Sequence, residues 1–92
     1  MPKLTSSQIN IACRSVPKWK KRGSVITRSY EFKDFPAAIK FVNAVARSAE
    51  KAWHHPDIDI RWNKVTLTLT THDAGGLTGT DFVLAEKIDH LA

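Results

Sequence analysis

Residues 57–70 read DIDIRWNKVTLTLT, and this run decides the fold. Ile58, Ile60 and Trp62 alternate with Asp57, Asp59 and Arg61; beyond a turn at Asn63-Lys64, Val65, Leu67 and Leu69 alternate with Thr66, Thr68 and Thr70. Successive side chains of a strand point to opposite faces, so each half is a strand with one apolar and one polar side. Two such strands joined by a short turn make an antiparallel hairpin whose single apolar face must be covered.

The residues before it supply part of that cover. Asp34 can cap a helix with Pro36 in its first turn, where amides have no intrahelical partner. Phe35, Ile39, Val42, Val45, Ala46, Ala49 and Trp53 then form an apolar stripe, with Lys40, Asn43, Arg47 and Lys51 elsewhere. At 1.5 Å per residue the helix spans roughly 30 Å. Pro56 disfavours helical geometry at the residue before it, which predicts an end at His54 to His55. Further upstream, Trp19 begins a segment that turns at Gly23-Ser24 and returns with Ile26, Tyr30 and Phe32 on one side, a second hairpin. Thr5 and Gln8 have the spacing of a capping box, followed by Ile9, Ala12, Cys13 and Val16 at helical intervals up to Pro17. Downstream, the loop 73–79 carries three glycines, and Thr78 can cap a last helix from about residue 80 to 91. These signals predict an α+β fold: a four-stranded antiparallel sheet with three helices packed on one face, in the order α-β-β-α-β-β-α. Residues 1–92 read as a single domain without repeat, linker or low-complexity tract, since a chain of this length has room for one core.

Composition narrows the function classes. With 42% hydrophobic and 25% charged residues the chain is not a disordered segment. The net charge of +5 is unevenly placed: residues 1–33 hold eight Lys and Arg against one acid, Glu31, and residues 34–92 hold six against eight. The cluster Lys18, Lys20, Lys21 and Arg22 can meet phosphates or an anionic small molecule, or can be a solvated hairpin; nucleic-acid binding is the less favoured reading. A lone Cys13 excludes an intramolecular disulfide and fits a reducing, cytoplasmic compartment. No stretch of eighteen apolar residues exists, so a membrane span is not expected. A domain this small gains stability by self-association, so a homo-oligomer is expected.

The chemistry gathers at the ends of the elements. His54 and His55 stand at a helix end and His72 at a strand end, on the threonine side rather than the apolar one. If the last helical turn persists, Glu50 and His54 stand at i and i+4, so the carboxylate can orient that ring. Neighbouring helical residues point about 100° apart, so His54 and His55 take different roles. Asp81 follows Thr78 by three residues, which suits half of a capping box and does not preclude a place in the site. Adjacent histidines lack the i, i+4 spacing of helix-borne metal ligands, and no metal is expected. Gly75-Gly76 fits neither phosphate-binding glycine motif. Asp57 and Asp59 read as a solvated strand edge.

Glu50, His54-His55-Pro56, Trp62, His72 and Asp81, at these intervals, resemble the signature of the pterin-4a-carbinolamine dehydratases. The resemblance extends from Trp19 through Arg28, Phe32, Asp34-Phe35, Ala38, Phe41 and Asn63-Lys64-Val65 to Thr71-His72 and Gly76-Leu77-Thr78, about three quarters of the chain. It implies dehydration of 4a-hydroxytetrahydrobiopterin or a related pterin to the quinonoid dihydropterin, the recycling step after aromatic amino-acid hydroxylation. It also implies no cofactor, a homodimer or homotetramer, and a pathway partner among the aromatic amino-acid hydroxylases. By the resemblance His54 and His72 are the acid-base pair and His55 contacts the pterin, these three being the catalytic set. Glu50 and Asp81 orient the histidines or bond the ring, with Pro56 and Trp62 completing the substrate site. Ile58 stands where animal members carry an aromatic residue, and Trp62 where tyrosine is common. Some relatives serve instead as dimerisation cofactors or assembly factors, so a non-catalytic protein-binding module is the alternative; intact histidines favour the enzyme.

Overall fold

The computed structural model describes residues 2–92. Its elements are α1 (Ser6–Ala12), β1 (Lys20–Arg22), β2 (Val25–Glu31), α2 (Phe35–Ala52), β3 (Asp57–Arg61), β4 (Lys64–Leu69) and α3 (Gly79–Leu91), with 3₁₀ turns at Cys13–Ser15 and His72–Ala74. The sheet is antiparallel throughout, in the order β1-β2-β4-β3. This is the α+β arrangement that the alternation and capping signals predict.

The strand order follows from composition. β4 buries Val65, Leu67 and Leu69 completely, and β2 buries Ile26 and Tyr30, so these two lie centrally. β3 carries Asp57, Asp59 and Arg61 and stays largely exposed at an edge, where charge discourages further pairing. The other face is a hydroxyl surface: Ser29 and Thr66 bond at 2.7 Å, and Thr27 and Thr68 lie 3.3 Å apart. Both expected caps are present at the first two helices. Thr5 and Gln8 form the full capping box of α1, and Asp34 accepts from the Ala37 amide at 2.9 Å at the start of α2.

Three expectations are corrected. The buried stripe of α2 is Ala38, Phe41, Val45 and Ala49; Phe35, Ala46 and Trp53 face outward. Phe41 sets this rotation, since its ring packs 4.8 Å from that of Tyr30 and 4.9 Å from that of Phe32. The β3–β4 turn is Trp62-Asn63 rather than Asn63-Lys64, because Arg61 pairs with Lys64 and the Asn63 side-chain amide donates to the Phe32 carbonyl at 2.7 Å. Trp62 consequently leaves the alternation, takes a left-handed backbone (φ 53°) and projects outward. Finally, α2 stops at Ala52. Trp53 turns left-handed (φ 51°), its amide donating to Glu50 O at 3.2 Å and that of His54 to Ala49 O at 3.1 Å, a closure that normally selects glycine.

Candidate active site

That early stop reassigns the carboxylates. With α2 ended before it, His54 does not stack over Glu50; it swings towards the start of α3, where its Nε2 bonds Asp81 Oδ1. Glu50 pairs with His55 instead, Oε1 to Nε2 at 2.8 Å. The expectation that Glu50 orients His54 is thus overturned, and each histidine has its own acid.

The two pairs differ in setting. Asp81 is fully buried and His54 nearly so, whereas Glu50 and His55 are both exposed. Asp81 Oδ2 accepts from the Thr78 amide and from the Thr71 hydroxyl, each at 2.9 Å. Thr71, having given its proton to Asp81, accepts one from the Thr78 hydroxyl at 2.9 Å. The expected capping box of α3 is present, with Thr78 and Asp81 capping reciprocally. One residue therefore both starts a helix and braces a histidine. Two donors saturate Oδ2, leaving Oδ1 for His54, so an ionised Asp81 requires His54 Nε2 to carry the proton. His54 Nδ1 is then the nitrogen free to meet a ligand, and the same logic leaves Nδ1 of His55.

His72 arrives from the other side. Beyond β4 the chain bridges Thr71 to Gly76 and tightens into the 3₁₀ turn His72–Ala74, closed by Gly75 at φ 76°. This holds His72 on an exposed rim opposite the end of α2. An open cleft of about 260 Å³ results, lined by Trp53, His54, His55, Thr70, His72 and Asp73 with Thr71 beneath. Its walls offer imidazole, hydroxyl and carboxylate groups, a set suited to moving protons on a polar heterocycle. Among the described residues no three His, Cys, Asp or Glu side chains gather to hold a metal ion. Pro56, half-buried, follows the histidine pair and begins the run into β3. Trp62 is not brought to this cleft: six residues of β4, about 20 Å at strand rise, separate its turn from the histidine end.

The family model described as pterin 4 alpha carbinolamine dehydratase matches residues 2–91. The chain belongs to that family. A Nocardia farcinica relative, provisionally named pterin-4-alpha-carbinolamine dehydratase, is 54% identical over 97% of this chain and 94% of its own. One from Acidobacterium capsulatum, with the same provisional name, is 55% identical over 99% of each. The crystal structure of a Brucella melitensis transcriptional coactivator/pterin dehydratase superposes with a TM-score of 0.93 at 40% identity, covering 98% of each chain. A pterin dehydratase-like RuBisCO assembly factor of the α-carboxysome shares the fold, at a TM-score of 0.70 and 23% identity over 82% of this chain and 89% of its own.

Within this dehydratase-family chain, two site features escape sequence reading. Thr71 appears only as a member of a matching motif, and Thr78 only as a helix cap, yet the Thr71 hydroxyl donates to Asp81 and is itself held by that of Thr78. Trp53 reads as core filling but stands 82% exposed on the rim.

Proposed function

We propose that the chain is a 4a-hydroxytetrahydropterin dehydratase, converting 4a-hydroxytetrahydrobiopterin or a related pterin to the quinonoid dihydropterin and water. One observation carries the reading: three histidines border a single cleft, and one is braced by a completely buried carboxylate. In the reaction the C4a–O bond breaks as an acid protonates the departing hydroxyl, while the N5 lone pair forms the C4a=N5 double bond. A base then removes the N5 proton, so one proton is delivered and one collected. Imidazole exchanges protons near neutral pH, and positioned general acid-base catalysis contributes about 10² to 10⁴ in rate. His54, acting through Nδ1, and His72 would be the acid-base pair, with His55 holding the pterin. Asp81 orients His54, Glu50 orients His55, and Pro56 directs the chain out of the site. Loss of water and the two proton transfers that accompany it are redox-neutral, so the reading calls for no cofactor.

The wider proposal is one domain over residues 1–92 that works as a homodimer or homotetramer in the cytoplasm, where Cys13 stays a free thiol and a pterin-dependent aromatic hydroxylase supplies the substrate. Self-association is supported by Val83 and Leu91, exposed apolar side chains on α3. Among the described residues no helix is long and apolar enough to cross a membrane.

The test is dehydration of synthetic 4a-hydroxytetrahydropterin, followed by ultraviolet absorbance above the spontaneous rate. Wild type should accelerate it and the His54→Ala, His72→Ala double variant should not; no acceleration by folded wild type would end the enzymatic reading. A second reading, a protein-binding module, draws on the exposed α3 side chains and the coactivator description of the Brucella relative. It predicts a protein complex that survives the same double substitution, and loss of the complex would weaken it.

A further inference from the structure

We propose that Trp53 is a substrate-contacting specificity residue, its indole supplying the flat wall against which a bound planar heterocycle stacks. This rests on the pterin reading above and adds to it the residue that recognises the ring's face. Trp53 occupies the left-handed position that closes α2 (φ 51°, ψ 40°). A side chain there crowds the following carbonyl, which is why glycine or asparagine is favoured. The indole also gains nothing by packing. It is 82% exposed, and the ring pairs among the described residues involve Trp19, Tyr30, Phe32 and Phe41 instead. Neither backbone conformation nor core burial accounts for an indole at this position.

Its place beside the histidines does. Trp53 lines the cleft together with His54, His55, Thr70 and His72. Those neighbours offer hydrogen bonds to the edge of a heterocycle, and the indole is the one large apolar ring on the rim. Polar groups can thus read the edge of a fused nitrogen heterocycle while Trp53 covers its face, a division of labour common where aromatic side chains meet planar bases. A face contact is made alike in the bound ground state and the transition state, so it acts on affinity more than on turnover.

The experiment uses the full chain with Trp53→Asn, Trp53→Gly and Trp53→Phe. Expected for Asn and Gly is a KM for 4a-hydroxytetrahydropterin raised about tenfold with kcat within about twofold of wild type, together with an unchanged or higher Tm because the left-handed site is relieved. Trp53→Phe should keep most of the affinity. With 7,8-dihydrobiopterin as a non-reacting probe, and absorbance by the pterin corrected for, wild-type tryptophan emission should be quenched. Trp53→Phe should abolish most of that quench and Trp62→Phe should not. An active wild type whose KM is unmoved by Trp53→Asn would overturn this inference alone. So would a variant that changes oligomeric mass without changing KM, since the indole would then serve a subunit contact. A folded wild type that neither binds nor dehydrates the pterin would overturn the pterin reading and this inference with it.

Discussion

Asp81 divides its two oxygens between a helix and a histidine, and an amide cannot do both. If the Asp81→Asn side chain kept its oxygen towards His54, its NH₂ would face the Thr78 amide, a donor that cannot turn round. If it turned the other way, the NH₂ would meet His54 Nε2 and force the proton onto Nδ1, the nitrogen assigned to the chemistry. Asp81→Asn should therefore lower kcat about 10²-fold, the lower range of acid-base contributions, and lower Tm as well. Glu50→Gln should change kcat/KM by no more than about threefold, because exposed ion pairs contribute little, and the Glu50 and His55 side chains are 70% and 58% exposed. The dehydration assay on both variants checks this contrast; equal losses would show that burial does not rank the two carboxylates. That His54, His55 and His72 come together in one cleft was legible, because each stands at the end of an element; Glu50 and Asp81 do not line it but bond His55 and His54 from outside. The pairing was not legible. It turns on the backbone at Trp53, and a tryptophan carries no signal for a left-handed helix stop.

Helices and strands were legible where local chemistry sufficed. The Thr5–Gln8 box, the Asp34 cap, the alternation of β4 and the Thr78–Asp81 box all appear at the positions their side chains dictate. The rotation of α2 was less so, since two neighbouring stripes, one through Phe35 and Ile39 and one through Ala38 and Phe41, are both apolar. Tyr30 and Phe32 decide between them from another part of the chain. The two caps should also differ in consequence. Removing a side-chain cap costs about 1 kcal/mol, but α2 buries four residues in the centre of the core and α1 buries only Ile9. Asp34→Ala should thus lower global stability by about 1 kcal/mol in a denaturant titration. Thr5→Ala should mainly open α1 locally, seen as faster amide exchange over residues 6–12 with a smaller shift of the global midpoint. Global loss from Thr5→Ala as large as that from Asp34→Ala would show that α1 belongs to the same cooperative unit.

Across the whole molecule, the first hairpin and the last helix are tied by one carboxylate. Asp89 Oδ1 accepts from Trp19 Nε1 at 2.8 Å, from Arg28 Nη1 at 2.7 Å and from the Tyr30 hydroxyl, while the Arg28 guanidinium lies 4.2 Å from the Tyr30 ring centre. These partners stand 59 to 70 residues from Asp89 in the chain, so no spacing rule could have joined them. Burial pushes the Tyr30 phenol above its ordinary pKa, and the hydrogen bond to Asp89 and that residue's negative charge push it further, against a smaller opposing pull from Arg28. The folded chain therefore keeps the phenolic proton above about pH 10, where an unfolded tyrosine gives it up. Above that pH the unfolded state binds fewer protons than the native one, so stability falls as pH rises; below it the contribution is fully present. Tyr30→Phe should be less stable than wild type at pH 7 by about 1.5 kcal/mol, the loss of a hydrogen bond to a charged acceptor. Between about pH 9.5 and 11, spanning the unfolded tyrosine pKa, the wild-type urea midpoint should fall more steeply than that of Tyr30→Phe. The two proteins differ only in the phenolic hydroxyl, so the difference between their slopes isolates it. Parallel slopes would mean that Tyr30 gives up its proton as readily in the folded chain as in the unfolded one, and that the tie between hairpin and helix rests on Trp19 and Arg28.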